Sequence, residues 1–371
     1  MSEYQFYEFM AIDRPLTEKE RKEVSSFSSR TEASMYGASF VYHYDGSPGD
    51  EYRILAKYFD AMLYIANWGS TRLLFRFPAS AVDIEQLNLY EYDRSVVVDR
   101  QGDFVILDLN YDEEDGGSWG WVEGDGLLST MVGLRQNIMN GDMRALYLLW
   151  LKAVSTEIGY DIISTEDIQA PPVPHNLKQS SRELRAFIDF FNIELELVRA
   201  AASFSADYAV PKLDIKQGLS RLSDEEKETF LRKLAEGVPN LHQELVKRLR
   251  ELLADNASKP ESSIPSVTTI LQRVDEATQA IEQEEVAKLN AYLDDLASRE
   301  SKLWNEIYFL ISQKRVKPYE EAIKHLVELE KLAERDETMA DFNAKIQDIY
   351  KQYPTLRGLH SRMSYKGFKK N

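Results

Sequence analysis

The stretch Tyr58-Phe-Asp-Ala-Met-Leu-Tyr-Ile-Ala-Asn-Trp-Gly-Ser-Thr-Arg-Leu-Leu-Phe-Arg-Phe-Pro78 decides how the first part of this 371-residue chain folds. Its second half alternates. Leu73, Phe75 and Phe77 point one way and Arg72, Leu74 and Arg76 the other, which is the period of a β-strand. Pro78 stops it. Upstream, Ile54, Leu55, Tyr58, Phe59, Met62 and Ile65 recur at three- and four-residue spacing. That spacing predicts a helix entering the stretch from the turn Asp45-Gly-Ser-Pro-Gly49, with Pro48 suited to a first helical turn. Gly69 is placed to end it by taking positive φ. The expected packing centre of the first domain is therefore helix, glycine, strand.

Working outward, Glu3–Ala11 carries aromatics on both faces (Tyr4 and Phe6; Tyr7 and Phe9) and reads as a buried strand. Thr17-Glu-Lys-Glu20 is a capping box, so a short helix runs to about Phe27. Ser34–Tyr44 reads as a second strand. Ser95–Asp99 and Asp103–Leu109 flank Arg100-Gln-Gly102, a hairpin signal. Two helices follow, about Gly126–Met139 and Met143–Ile158, separated by Asn140-Gly-Asp142 with Asp142 as N-cap. Residues 1–168 are thus predicted to be an acidic α+β domain.

Gln169-Ala-Pro-Pro-Val-Pro-His175 marks a proline-rich linker over 169–179. Everything after Ser180 reads helical. A helical bundle is expected over 180–255, with a second capping box at Ser223-Asp-Glu-Glu226 and a stop at Gly237 and Pro239. Asn240 caps a helix to about Leu253, and Asp255–Pro265 is an exposed loop. Residues 266–352 form a long helix plus a helical hairpin, and 353–371 a basic tail. Ser266–Lys314 has no Gly or Pro. Val267, Val274 and Ile281 repeat at seven, as do Leu289, Leu296, Leu303 and Leu310, with a phase change across Glu282–Glu285. One long bent helix of about 75 Å or two consecutive helices fit this pattern. A homo-oligomer through 266–314 is one use for such a seam. The expected fold class is an α+β N-terminal domain followed by an all-α helical domain with long antiparallel or coiled-coil-like helices.

Composition narrows the chemistry. The absence of cysteine excludes disulfides, thiolate metal sites and cysteine nucleophiles. His43, His175, His242, His325 and His360 share no metal-ligand spacing. Apolar runs such as Ala145–Leu151 are too short to span a bilayer, and the first residues lack signal-peptide features. A cytoplasmic location is expected. The net charge of −17 is uneven: residues 1–175 hold 29 acidic and 14 basic side chains, and the last 21 residues hold six Lys/Arg and no acid. Nucleic acid is an unsuitable partner for the acidic N-terminal domain, because phosphate binding needs Lys and Arg.

Several stretches resemble a widespread family of uncharacterised bacterial proteins. They are Tyr4-Gln-Phe-Tyr-Glu-Phe-Met-Ala-Ile-Asp-Arg-Pro-Leu-Thr17, the Tyr58–Pro78 unit, the Gly-Gly-Ser-Trp119 loop, Gly141-Asp-Met-Arg-Ala-Leu-Tyr-Leu148 and Lys317-Pro-Tyr-Glu-Glu-Ala322. That resemblance implies an architecture and no catalytic residues. Separately, Trp304, Ile307, Tyr319, Ala322 and Leu326 resemble the helix pair of a tetratricopeptide repeat. Only one copy is present and the spacing is about two residues long. The resemblance implies a hairpin of a kind used to hold another protein, with Trp304 and Tyr319 as partner-binding residues.

No catalytic constellation emerges. Tyr111–Asp125 concentrates carboxylates, glycines and two tryptophans. Asp112, Glu113, Glu114 and Asp115 lack the EF-hand spacing for calcium. No P-loop lysine follows Gly124-Asp-Gly126, and Gly116-Gly-Ser-Trp-Gly120 is only loosely a serine elbow. Trp119 and Trp121 remain as aromatic anchors in the acidic frame of Asp112, Glu113, Glu114 and Asp115, the six together expected to grip a basic partner surface, or the tryptophans to close the first domain's own core. Asp99, Asp103 and Asp108 are oxygen donors near a hairpin, but Asn110 stands where a nuclease site wants lysine. No cofactor and no metal are expected. Arg357, Arg362, Lys366, Lys369 and Lys370, around Tyr365 and Phe368, are placed to touch nucleic acid, an acidic partner or the acidic first domain. The expected function is a non-enzymatic interaction, scaffold or adaptor subunit, such as one in a bacterial defence or regulatory complex. The alternative is a metal-dependent hydrolase or nuclease with a degenerate carboxylate site.

Overall fold

A computed structural model describes residues 3–28, 31, 33–43, 47–113, 126–209, 213–238, 241–254 and 261–370. The chain divides into two compact units, Met1–Thr278 and Gln279–Asn371. An α+β region is followed by a mostly helical one, as the sequence predicts.

The first unit begins with β1 (Tyr4–Met10), α1 (Glu18–Ser25), β2 (Gly37–His43), α2 (Glu51–Tyr58), β3 (Ala61–Ala66) and β4 (Ser70–Pro78). Then come α3 (Ile84–Asn88), β5 (Val96–Gln101), β6 (Phe104–Asp112), α4 (Leu127–Met131), α5 (Gly133–Met139) and α6 (Arg144–Gly159). Helices α7 (Arg182–Phe190), α8 (Leu195–Ser203), α9 (Ile215–Arg221), α10 (Asp224–Ala235) and α11 (Leu241–Ala254) follow. The six strands form one antiparallel sheet in the order β2-β1-β3-β4-β6-β5.

The opening stretch corrects one expectation. The helix stops at Tyr58, and Phe59 is already extended. Ala61–Ala66, predicted as its continuation, is the central strand β3, paired with β1 on one side and β4 on the other. Both of its faces are buried: Ala61, Leu63 and Ile65 on one, Met62 on the other. A strand covered on both faces is a continuous apolar run, so it shows no alternation and can mimic a helical face. Gly69 ends no helix. It sits at φ 105° in the β3–β4 turn, where Asn67 and Tyr4 exchange two hydrogen bonds.

The sheet is a wall between two cores. On one face Leu63, Phe75, Leu107 and their neighbours meet α4–α8, with Trp150 and Tyr147 of α6 fully buried. On the other, Phe9, Phe40, Met62 and Leu74 meet α1 and α2. Ala170, Val173 and Leu177 of the proline-rich segment are buried in the first core, and the Tyr90 hydroxyl donates to the Pro172 carbonyl at 2.9 Å. Both predicted capping boxes form, at Thr17/Glu20 and Ser223/Glu226. Asp142 sits one residue before the α6 N-cap and grips Arg144 instead.

Of the two readings open for 266–314, the structure has two consecutive helices, α12 (Val267–Ser298) and α13 (Glu300–Ser312). They part at Arg299 rather than at the seam's phase change. The second unit continues with α14 (Val316–Arg335), α15 (Met339–Gln352) and α16 (Arg357–Tyr365). Its core joins Leu293 and Leu296 of α12 to Ile307, Ala322, Leu326, Ile346 and Leu359. Among the described residues no helix is long and apolar enough to cross a membrane.

Candidate functional site

Two strand arginines face α1 and α2, and each is matched by carboxylates. Arg72 grips Asp108 in a fork, Nη2 to Oδ2 at 2.6 Å and Nε to Oδ1 at 3.2 Å, and reaches Glu51 at 3.3 Å. The Tyr52 hydroxyl donates to the same Asp108 oxygen at 2.7 Å. Burial works against the Arg72 charge, but the Asp108 bond and the Asp108 and Glu51 charges prevail and raise its pKa. Burial, followed by the charge of Glu51, pushes the neighbouring Tyr64 hydroxyl up to about 12.

At the other end of the strands, Asp60 accepts Arg76 Nη2 at 2.5 Å and the amides of Ile12 and Asp13 at 2.7 and 2.9 Å. Burial opposes the Asp60 charge, yet Arg76 and these donors keep its pKa lowered. Asp13 in turn takes a fork from the buried Arg135 at 2.8 and 2.7 Å. Sequence reading placed Arg72 and Arg76 on that face without their partners, because Asp60 comes from the turn before β3 and Asp108 from β6.

These clusters are self-satisfied. Both Asp108 oxygens are engaged, so a metal ion there would have to displace a guanidinium. Asp99 accepts from the Gln101 side chain at 2.8 Å, and Asp103 lies in the β5–β6 turn with its carbonyl bonded to Ala79. Among the described residues no group of three His, Asp or Glu side chains is arranged to hold a metal.

Asp112 and Glu113 stand where β6 ends. The Asn192 side chain donates to Glu113 at 3.0 Å, and the Asn192 carbonyl accepts from the buried Lys152 at 2.5 Å. Lys152 also lies 4.6 Å from the centre of the Tyr111 ring. Glu114, Asp115, Trp119 and Trp121 lie outside the described residues.

Helix α10 is unusual in a different way. It buries none of its twelve side chains. It is held to α11 by ion pairs, Lys233–Glu244 at 2.6 Å and Arg248–Glu226 at 2.8 Å. A cleft of about 440 Å³ between them is lined by Ser80, Glu226, Phe230, Glu244 and Lys247, and Lys247 donates to the Val82 carbonyl. Leu231 and Leu234, each 66% exposed and one turn apart, leave an apolar stripe on α10, and the exposed Val238 follows the helix after Gly237. Sequence reading caught the helix and its cap but not this stripe. Leu231 and Leu234 have ordinary helical spacing, and nothing local says whether such a stripe is covered.

In the second unit, Trp304 and Tyr319 are inside rather than on the surface. Trp304 packs on Phe342, donates its indole N–H to Glu300 at 2.9 Å and lies under Lys345. The basic segment is anchored by its backbone. Gly367 takes φ 96°, the Phe368 amide bonds the Met363 carbonyl, and the buried Phe368 ring meets Phe342 at 5.8 Å. Tyr350 donates to the Phe368 carbonyl at 2.8 Å and Gln347 to that of Lys369 at 2.9 Å. Arg362 donates to the Gly358 carbonyl and lies 3.9 Å from Glu320. Arg357, Lys366, Lys369 and Lys370 are exposed. In comparisons with known proteins, the chain matches no family model, no curated sequence and no solved structure.

Proposed function

We propose that the chain is a non-enzymatic interaction protein that holds another protein on its α10 surface. The observation that supports this reading is the leucine stripe of a helix in which no side chain is fully buried. Two leucines left in water each forgo about 1.5–3 kcal/mol of burial, which a partner surface can recover. Exposed Glu228 lies one helical turn before Leu231, and exposed Glu236 follows the helix directly after Leu234 and Ala235. The partner chemistry that fits is an apolar segment flanked by Lys or Arg. The polar clusters on the sheet agree with a structural rather than a catalytic role, since each charge is already neutralised.

Co-purification of the full chain at native expression tests the reading. Wild type is expected to retain a partner that is lost when Leu231→Asp and Leu234→Asp are combined, with the thermal midpoint unchanged. Identical co-purifying proteins for wild type and variant, or none for either, would contradict it. Divalent-metal-dependent hydrolysis abolished by Asp108→Ala, in protein that still folds, would move the assignment to an enzyme.

A further inference from the structure

We propose that the basic face of α16 and the segment after it binds single-stranded nucleic acid, with Tyr365 stacking on a base and Arg357, Lys366, Lys369 and Lys370 meeting phosphates. This surface belongs to the second unit, and the proposal does not depend on the α10 reading.

Three observations meet there. The first is charge: no acidic residue follows Asp348, while Lys351, Arg357, Arg362, Lys366, Lys369 and Lys370 do. Asp348 reaches Lys351 at 3.5 Å and Glu320 approaches Arg362 at 3.9 Å. Arg357, Lys366, Lys369 and Lys370 have no ion-pair partner among the described residues. The chain as a whole is strongly acidic, so this is a local positive field in a negative molecule.

The second is order. A short basic tail free in water costs conformational entropy when it binds. Here the backbone of 366–369 is already fixed by the Gly367 turn, by Phe368 in the core and by the Tyr350 and Gln347 bonds. The lysines leave a set backbone, which lowers the ordering cost.

The third is Tyr365, 88% exposed and directly before Lys366. Arg357 and Tyr365 are about two turns apart on α16. A bare aromatic ring among cations is the combination that sequence-tolerant single-strand binding uses, because every base offers a flat face. An acidic peptide would use the cations and leave the ring without a role.

Fluorescence anisotropy of the full chain with labelled U20 and dT20, between 50 and 200 mM NaCl, tests the proposal, with a labelled poly-glutamate peptide alongside. Binding is expected to weaken with salt along a log–log slope of about −3 for four phosphates. Tyr365→Ala is expected to weaken binding about tenfold and leave the slope unchanged. The triple variant Lys366→Ala, Lys369→Ala, Lys370→Ala is expected to flatten the slope by about 2. Absence of oligonucleotide binding at 50 mM salt would overturn it. So would affinities untouched by both variants. Poly-glutamate binding as tightly as the oligonucleotides, with Tyr365→Ala neutral, would overturn it in favour of an acidic protein partner.

Discussion

Asp60 carries a buried negative charge that three donors hold in place: two backbone amides and Arg76. Removing one member of such a group strands the others away from water. Asp60→Ala is therefore expected to lower stability by about 3–5 kcal/mol in chemical denaturation. Lys227→Ala, which breaks an exposed α10 pair with Asp224, should cost less than about 0.5 kcal/mol. Glu20 gives a pH signature. Its bond from Arg14, with those from Thr17, lowers its pKa from the ordinary 4.5 to about 2. A depressed carboxylate contributes stability above its unfolded pKa and loses it as pH falls. The difference in thermal midpoint between wild type and Glu20→Gln should be present at pH 7 and close between pH 4.5 and about 2. Its size should stay below about 1 kcal/mol, since the Arg14 partner is exposed.

Among the elements, the β3–β4 hairpin carries the most information about what a sequence reveals. β4 was legible because Arg72, Leu74 and Arg76 interrupt an apolar face with strand period. β3 was not, because Ala61–Ala66 is apolar at nearly every position and its pairing with β1 is non-local. Gly69 was legible as a special position but not as a hairpin turn. With φ at 105°, Gly69→Ala should cost about 1–2 kcal/mol, measurable by urea denaturation. The capping boxes of α1 and α10 were readable because both partners lie within four residues. The break between α12 and α13 was not, since Arg299 is an ordinary helix former. Trp304 and Tyr319 were found as a pair, but their burial depends on Phe342 and the rest of the second unit's core. Trp304→Ala should therefore destabilise by about 3–5 kcal/mol, read by the thermal transition. The Glu114–Asp125 part of the acidic tryptophan loop lies outside the described residues.

At the scale of the molecule, charge and apolar surface are distributed unevenly. Arg72 and Arg76 are matched with Asp108 and Asp60 on the sheet face that α1 and α2 cover. Two exposed helical surfaces carry the proposals: Leu231 and Leu234 of α10 in the first unit and the basic Tyr365 face in the second. Composition signalled the second surface through its run of six cations without an acid. It could not signal the first, because a leucine stripe reads the same whether covered or bare. A photo-crosslinking amino acid in place of Leu231 or Leu234, expressed in the native cell, reports whether another protein occupies the α10 surface. A partner seated on α10 gives a discrete protein adduct from both positions and none from Lys216 of α9. Irradiation that gives no adduct at Leu231 and Leu234, or the same adducts at all three positions, would contradict it.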